Sequence, residues 1–390
     1  MQAVILCGGL GTRLKSVVTD IPKPMAPVRN FPFLHYIVEH LKVYGFDKFL
    51  FLTGYKSKII EEYFSEYDFS IENEPLGTGG ALFNAFEKLQ DEFFLINGDT
   101  FFDIDFEIFN DYIKINSVNS AIALFPTKNI ERYGLVEIED DFCIKNFIEK
   151  SNLDNNLADG FINSGIYYFK KSVLEKYYSG WDNNFVSIEK EIFPKLVEIK
   201  ELKGLPMGGL FIDIGIPEDY EKAQTLIPQR VKDIKRSALF IDRDGTIIED
   251  KGYTFGKNLT FFSDTVDLVR KYKNKGYYIF VVTNQAGVAK GKFTEQDTVT
   301  TNNVIKDYYS EQNIKIDDFI YCPFHIDGII EKYSKSSVYR KPNSGMVLEL
   351  GSKYKIDYKK SLFYGDNVKI DKINLPYLVF KQKESNEKIY

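Results

Sequence analysis

Two clusters in this 390-residue chain have residue types and spacings suited to chemistry on anions. The first is Gly8, Gly9, Gly11, Thr12 and Arg13, directly after an apolar run. Glycines at such a turn let backbone N–H groups converge on a phosphate, and an arginine beside them can grip it through two parallel hydrogen bonds. Lys23, in Lys23-Pro24-Met25, brings a second cation to the same mouth. The second cluster is Asp242-Arg243-Asp244-Gly245-Thr246, again at the end of an apolar run. Carboxylates two residues apart at a strand end repel one another unless a cation pairs with them.

Both clusters need rigid elements to aim them. Short apolar runs rich in β-branched and aromatic residues predict strands at Ala3–Cys7, Lys48–Thr53, Phe93–Asn97, Ser120–Phe125, Gly165–Phe169, Ala238–Ile241, Tyr278–Thr283, Asp318–Tyr321 and Leu362–Gly365. Continuous apolar runs suit strands covered on both faces. Between them lie helical patterns such as Phe33–Tyr44, where Leu34, Ile37, Val38 and Leu41 share one face. This alternation predicts an α/β fold with sites at the carboxyl ends of the strands. The strand-and-loop pattern begins twice, at AVILCGG and at ALFIDRDG. The expected organisation is a domain over 1–228, a linker over 229–235 in the proline- and charge-bearing LIPQRVKDIK, and a second domain over 236–390.

Composition excludes several classes of function. Lys and Arg number 50 against 56 Asp and Glu, a net charge of −6, so no basic surface for nucleic acid is expected. Three widely spaced cysteines, Cys7, Cys143 and Cys322, argue against a disulfide framework. The first apolar run meets glycine too early for a signal peptide or a membrane span. These features predict a cytoplasmic protein with small-molecule partners and no membrane partner; a homo-oligomer is left open.

In order, GGLGTRL and PKPM resemble the signature of sugar-1-phosphate nucleotidyltransferases. Glu74-Pro75-Leu76-Gly77-Thr78-Gly79-Gly80-Ala81 is similar to that family's loop beside base and ribose, and Asn97-Gly98-Asp99 to its metal-binding aspartate. Tyr133-Gly134, Phe147-Ile148-Glu149-Lys150 and Asn163-Ser164-Gly165 resemble its sugar and sugar-phosphate contacts, and Phe211–Pro217 a late motif carrying a second metal ligand, Asp213. The resemblance implies a Rossmann-like, GT-A-like mixed sheet. It implies nucleotide contacts at Leu6, Gly8, Gly9, Gly11, Thr12, Arg13, Lys23, Glu74, Gly77, Thr78 and Asp99, with Arg13 and Lys23 catalytic. Sugar-phosphate contacts would be Gly134, Glu149, Lys150 and Asn163, and Asp99 and Asp213 would hold Mg²⁺. Taken singly, Asp99 could cap a helix and Asp213 form a turn; neither alternative explains the long-range order of motifs.

From residue 236 the chain resembles the haloacid dehalogenase superfamily, which implies a parallel sheet. Asp242 and Asp244 match its first motif, Thr283 the second, Lys341 the third and Gly365-Asp366-Asn367 the fourth. Asp242 would then attack phosphorus, and Asp244 would serve as acid and base. Thr283 and Lys341 would stabilise phosphoryl oxygens. Mg²⁺ would be held by Asp242, Asp366 and the carbonyl of Asp244. DRDGTIIEDKGY, TNQAGVAKGKFT, YCPFH and YRKPNSGM narrow the resemblance to heptose-bisphosphate phosphatases and histidinol-phosphate phosphatases, with Asn284, Lys290 and Arg340 as further substrate contacts.

Two departures stand out. The relatives' zinc loop keeps only Cys322 here; Phe324, Ser337 and Tyr339 replace the other ligands, so no zinc is expected. The fourth motif carries Ile370 where another aspartate is usual, with Asp371 one residue later.

The expected function is bifunctional. A phosphatase would convert heptose 1,7-bisphosphate to heptose 1-phosphate, and a nucleotidyltransferase would join that product to GMP from GTP. Rival readings keep both chemistries on a mannose-1-phosphate-type sugar or another nucleotide, or replace catalysis by sugar-nucleotide sensing.

Overall fold

A computed structural model describes residues 1–8, 20–130, 134–148, 157–182 and 184–384. The chain forms two compact units: 1–125, 134–148 and 162–233 in the first; 126–133, 149–161 and 234–390 in the second. Two stretches from within the 1–228 expected as one domain thus group with the later unit.

In the first unit, Gln2–Leu6 lies between Lys48–Thr53 and Glu92–Asn97, parallel to both. Lys48–Thr53 is followed in the sheet by Asp68–Ile71, also parallel. On the other side, Gly160–Lys170 runs antiparallel to Glu92–Asn97, which makes the sheet mixed. Ala3, Val4 and Ile5 are fully buried, as expected for a central strand covered on both faces. Burying each such aliphatic side chain is worth roughly 1.5–3 kcal/mol, more than β propensity supplies. A separate two-stranded ribbon pairs Thr100–Phe102 with Phe211–Asp213, setting Asp213 opposite Thr100.

The second unit is a five-stranded, all-parallel sheet. Its order is Asp318–Cys322, Tyr278–Asn284, Ala238–Ile241, Leu362–Gly365, Val379–Gln382. Leu239, Ile241, Val269, Ile279, Val281, Ile305 and Tyr309 fill one side of it. Helices Ser263–Asn274 and Glu295–Glu311 supply Val269, Ile305 and Tyr309 to that core.

The expected linker is partly helical. Pro217–Lys232 is one helix that continues past Pro228. Ile227 and Arg230 face inward, and Arg230 forms a buried ion pair with Asp103, 2.5 Å from Nε to Oδ2. A buried guanidinium paired this way holds the last turn down, which a count of charged residues does not reveal.

Candidate active sites

In the first unit, Leu6 and Asn97 end neighbouring parallel strands in register. The Gly98 N–H donates to the Leu6 carbonyl (2.9 Å), so the chain turns at Asn97-Gly98 and presents Asp99 just past the carboxyl end of an interior strand. The Ile214 N–H donates to the Asp99 carbonyl (3.2 Å), and the ribbon brings Asp213 alongside. Lys23 stands on a short turn anchored by buried Pro24 and Met25. Its Nζ lies 2.6 Å from Asp99 Oδ2 and 3.3 Å from Asp213 Oδ1. Residues 76 and 190 positions apart from Lys23 in sequence therefore meet in one cluster.

Two carboxylates that already share one cation form a hard, oxygen-only donor set, and this fits Mg²⁺. Gly9, Gly11, Thr12, Arg13, Glu149 and Lys150 lie outside the described residues.

Other expected contacts are placed less directly. Gly77 has φ +76°, and a Cβ there would lie 2.5 Å from the Val186 carbonyl, so the turn requires glycine. The Thr78 hydroxyl donates to Glu189 (2.8 Å) and accepts from the Ile188 N–H (2.9 Å), tying the loop down from within. Gly134 is exposed. Asn163 accepts from the Gly165 N–H and donates to Tyr167 Oη, two bonds that fix its amide.

Glu74 is exposed, and the acidic group against Gly8 and Gly54 is Glu72. Its Oε1 lies within 2.7–2.8 Å of where Cβ atoms on Gly54 and Gly8 would stand, and its Oε2 accepts from the Leu76 N–H at 3.2 Å. Burial raises its carboxyl above the usual value, with the Leu76 bond opposing. Two glycines without side chains make room for one carboxylate, and that signal is readable only after Gln2–Leu6 and Lys48–Thr53 are placed side by side.

In the second unit, Asp242, Thr283 and Asp366 lie at or just beyond the carboxyl ends of three adjacent strands. Lys341 is buried, and its Nζ bonds both Asp242 Oδ1 and Asp371 Oδ1, the latter at 2.7 Å. Gly245 has φ +84°, and a Cβ there would lie 2.5 Å from Asp366 Oδ2. Asp242, Asp366 and Asp371 offer oxygens within 4.8 Å of one another. This donor set also fits Mg²⁺. Burial raises the Asp242 carboxyl, while Lys341 opposes the rise.

The one-residue shift in the fourth motif is absorbed by a short helical turn, Val368–Asp371, whose Asn367 side chain caps the Lys369 N–H. Asp371 is buried and engages Lys341, whereas Ile370 is exposed. The altered spacing therefore does not remove the aspartate from the site.

Asp244 is held by residues that the sequence reading passed over. Arg243, fully buried, places Nη2 3.0 Å from Asp244 Oδ2, and Gln285 Nε2 donates to the same oxygen at 2.7 Å. Thr283 also reaches it at 3.4 Å. Asn284 exchanges two hydrogen bonds with the Lys341 backbone, setting that residue's height. Arg340 and Lys290 are both half-buried, and both lower the His325 ring below its ordinary pKa, after burial as the largest cause. The two cations expected to meet a second anionic group thus share one neighbour.

A mixed sheet with paired carboxylates sharing a lysine, followed by a parallel sheet with Asp, Thr and Asp at its strand ends and a buried lysine between two of its aspartates, defines a nucleotidyltransferase carrying a phosphatase-like domain. The profile described as Nucleotidyl transferase matches residues 2–230, and the chain belongs to that family. Residues 237–385 match the profile described as Polynucleotide kinase 3 phosphatase. D-glycero-alpha-D-manno-heptose 1-phosphate guanylyltransferase of Campylobacter jejuni is 40% identical over 230 residues, covering 56% of this chain and 97% of that protein. Its namesake in Aneurinibacillus thermoaerophilus is 43% identical over 232 residues, with 57% and 97% coverage. The solved HddC of Yersinia pseudotuberculosis, complexed with GMP-PN, is 37% identical with a TM-score of 0.50, and the match covers 57% of this chain and 97% of that one.

Proposed function

We propose that the chain prepares a GDP-activated heptose in two steps: removal of the C7 phosphate from heptose 1,7-bisphosphate, then transfer of GMP from GTP to the resulting heptose 1-phosphate. The observation that carries the guanine preference is Glu72. A carboxylate is an acceptor only, and guanine offers the matching N1–H and N2–H pair, which adenine and the pyrimidines lack on that edge. The heptose assignment rests on the names of the 40% and 43% identical relatives.

In the transferase, an oxygen of the sugar 1-phosphate attacks the α-phosphorus and pyrophosphate leaves. Positioning and charge neutralisation do most of the work in such a step. Arg13 and the Gly8–Gly11 turn would cradle the leaving pyrophosphate, and Lys23 and Lys150 would neutralise nucleotide and sugar phosphates. Mg²⁺ held by Asp99 and Asp213 would add charge neutralisation at the α-phosphate.

In the phosphatase, Asp242 attacks the C7 phosphorus to give an aspartyl phosphate. Asp244 protonates the departing C7 oxygen, then takes a proton from the water that releases phosphate. Lys341 and Thr283 offset charge on the phosphoryl oxygens, and Arg340 with Lys290 would hold the C1 phosphate. Mg²⁺ on Asp242, Asp366 and the Asp244 carbonyl would supply charge neutralisation there.

Both steps would use GTP and phosphorylated sugars, which supports a cytoplasmic location, and the product would serve surface-polysaccharide assembly. The test is pyrophosphate release from GTP, ATP, CTP and dTTP with heptose 1-phosphate or mannose 1-phosphate, beside phosphate release from heptose 1,7-bisphosphate. Preference for mannose 1-phosphate or for a nucleotide other than GTP would replace the substrate assignment; binding without turnover would favour a sensor.

A further inference from the structure

We propose that Asp159 is a positioning residue of the phosphatase site, a buried carboxylate that fixes the loop leading into Arg340 and Lys341. The proposal rests on the phosphatase reading of the second unit. Asp159 belongs to the described residues 157–161, which group with that unit although they precede its main body by more than seventy positions. Leu157 forms a β-bridge with Ser336, and the Ala158 N–H donates to the Ser336 carbonyl at 3.0 Å. Asp159 follows, 2% exposed. Its Oδ2 accepts the Ser337 hydroxyl (2.5 Å) and its Oδ1 the Val338 N–H (2.6 Å).

The direction of these bonds matters. A serine hydroxyl has one proton, and here it goes to Asp159. Ser337 Oγ is then left as acceptor for the Tyr339 N–H at 3.0 Å and for the weak Cys322 thiol at 3.7 Å. The Ser337 carbonyl accepts the Arg340 N–H (3.3 Å) and the Asn343 amide (3.1 Å). The Val338 carbonyl accepts the Gly345 N–H at 2.9 Å. The whole turn is therefore wound on Ser337 and Val338, the two residues that Asp159 holds, and it delivers Lys341 to Asp242.

Burying this carboxylate is costly. It is raised to about 6, chiefly by burial, against the opposing donors and Lys128. In the proposal its role is the geometry that its bonds to Ser337 and Val338 impose on the loop. Phosphatase geometry then depends on a residue outside the 237–385 stretch that carries the phosphatase motifs.

The experiment uses the full chain with Asp159→Ala, Asp159→Asn, Ser337→Ala and the double alanine variant. Two readouts are taken: kinetics with p-nitrophenyl phosphate and with heptose 1,7-bisphosphate, and hydrogen exchange of the 337–341 amides against the Ala238–Ile241 strand. The expected result for Asp159→Ala is a KM for the bisphosphate raised about tenfold or more, with a smaller change for p-nitrophenyl phosphate, which has no second anion to place. Exchange should quicken at 337–341 and not in the strand. Ser337→Ala should reproduce most of the effect, and the double variant should be no worse than Asp159→Ala. If Asp159→Ala does not fold, Asp159→Asn and Ser337→Ala carry the same comparison. Unchanged 337–341 exchange, or exchange that quickens equally at 337–341 and in the Ala238–Ile241 strand, would overturn the proposal. A wild-type chain that hydrolyses neither substrate would refute the phosphatase reading instead, and the exchange comparison would still decide whether Asp159 holds the loop.

Discussion

On the proposed function, Glu72 is the single residue on which base choice would turn. The sequence motif names Glu74; Glu72, two residues earlier, is the carboxylate that meets the space left by Gly8 and Gly54. Replacing it by glutamine exchanges one acceptor oxygen for an amide that donates toward guanine's own donors. Glu72→Gln should therefore cost about 1–3 kcal/mol of GTP recognition, raising the KM for GTP while leaving that for ATP or dTTP little changed. The pH dependence has a definite sign. Burial raises this carboxyl, so it takes up a proton at a higher pH than a free glutamate and, once neutral, loses an acceptor. GTP affinity should weaken as pH falls from neutral into the mildly acid range, and the glutamine variant should lack that component. Titrating GTP binding across this range in both proteins checks it; identical profiles would remove Glu72 from base recognition.

At the scale of elements, the strands were readable because burial on both faces writes itself as continuous apolar runs. All nine expected strands are present, most extended by a residue or more. Short or half-exposed strands such as Asp68–Ile71 and Phe211–Asp213 were not readable, since neither alternation nor a long apolar run marks them. The two units divide at Asp233 and Ile234, inside the expected linker, but its first residues are helical because Arg230, which looks like one more surface charge, meets Asp103. Removing the cation would strand a buried carboxylate, so Arg230→Met should destabilise the first unit by about 3–5 kcal/mol, measured by urea unfolding; a loss under about 1 kcal/mol would mean the pair is better solvated than its burial indicates. The Cys322–Tyr339 loop raises a third question. Cys322 is buried with a neighbouring serine hydroxyl, Tyr339 is buried, and neither metal-compatible cluster among the described residues includes Cys322. Purified protein should contain no stoichiometric zinc by mass spectrometry, and chelation should leave the melting of the second unit unchanged. A loop that loses order on chelation would show that the cysteine still binds metal.

For the whole molecule, the two constellations have separate carboxylates and separate lysines, and this predicts that point substitutions divide the activities. On the proposed function Asp242 would supply the nucleophile of one reaction, and its ion-pair partner, Lys341, belongs to the same site. Asp242→Asn keeps the shape and removes the charge, so phosphate release should fall by several orders of magnitude while GMP transfer to supplied heptose 1-phosphate stays within about twofold. Asp99→Ala should do the reverse, because it removes one of the two carboxylates that Lys23 spans. Divisible by point mutation is not the same as divisible by truncation: Asp159 lies inside the stretch matched by the transferase profile yet holds a loop of the second unit. Both reactions should nonetheless share one dependence. Each donor set is made of carboxylate oxygens and suits a small hard cation. EDTA should silence both, and Mg²⁺ should restore both in the unaltered protein and, in each single-site variant, the one reaction that variant retains. Pyrophosphate and phosphate release, measured side by side in the same preparation, read this out directly. If Asp242→Asn also stopped GMP transfer in a folded protein, or if either reaction ran in a metal-free preparation, the assignment of independent, metal-assisted sites would be wrong.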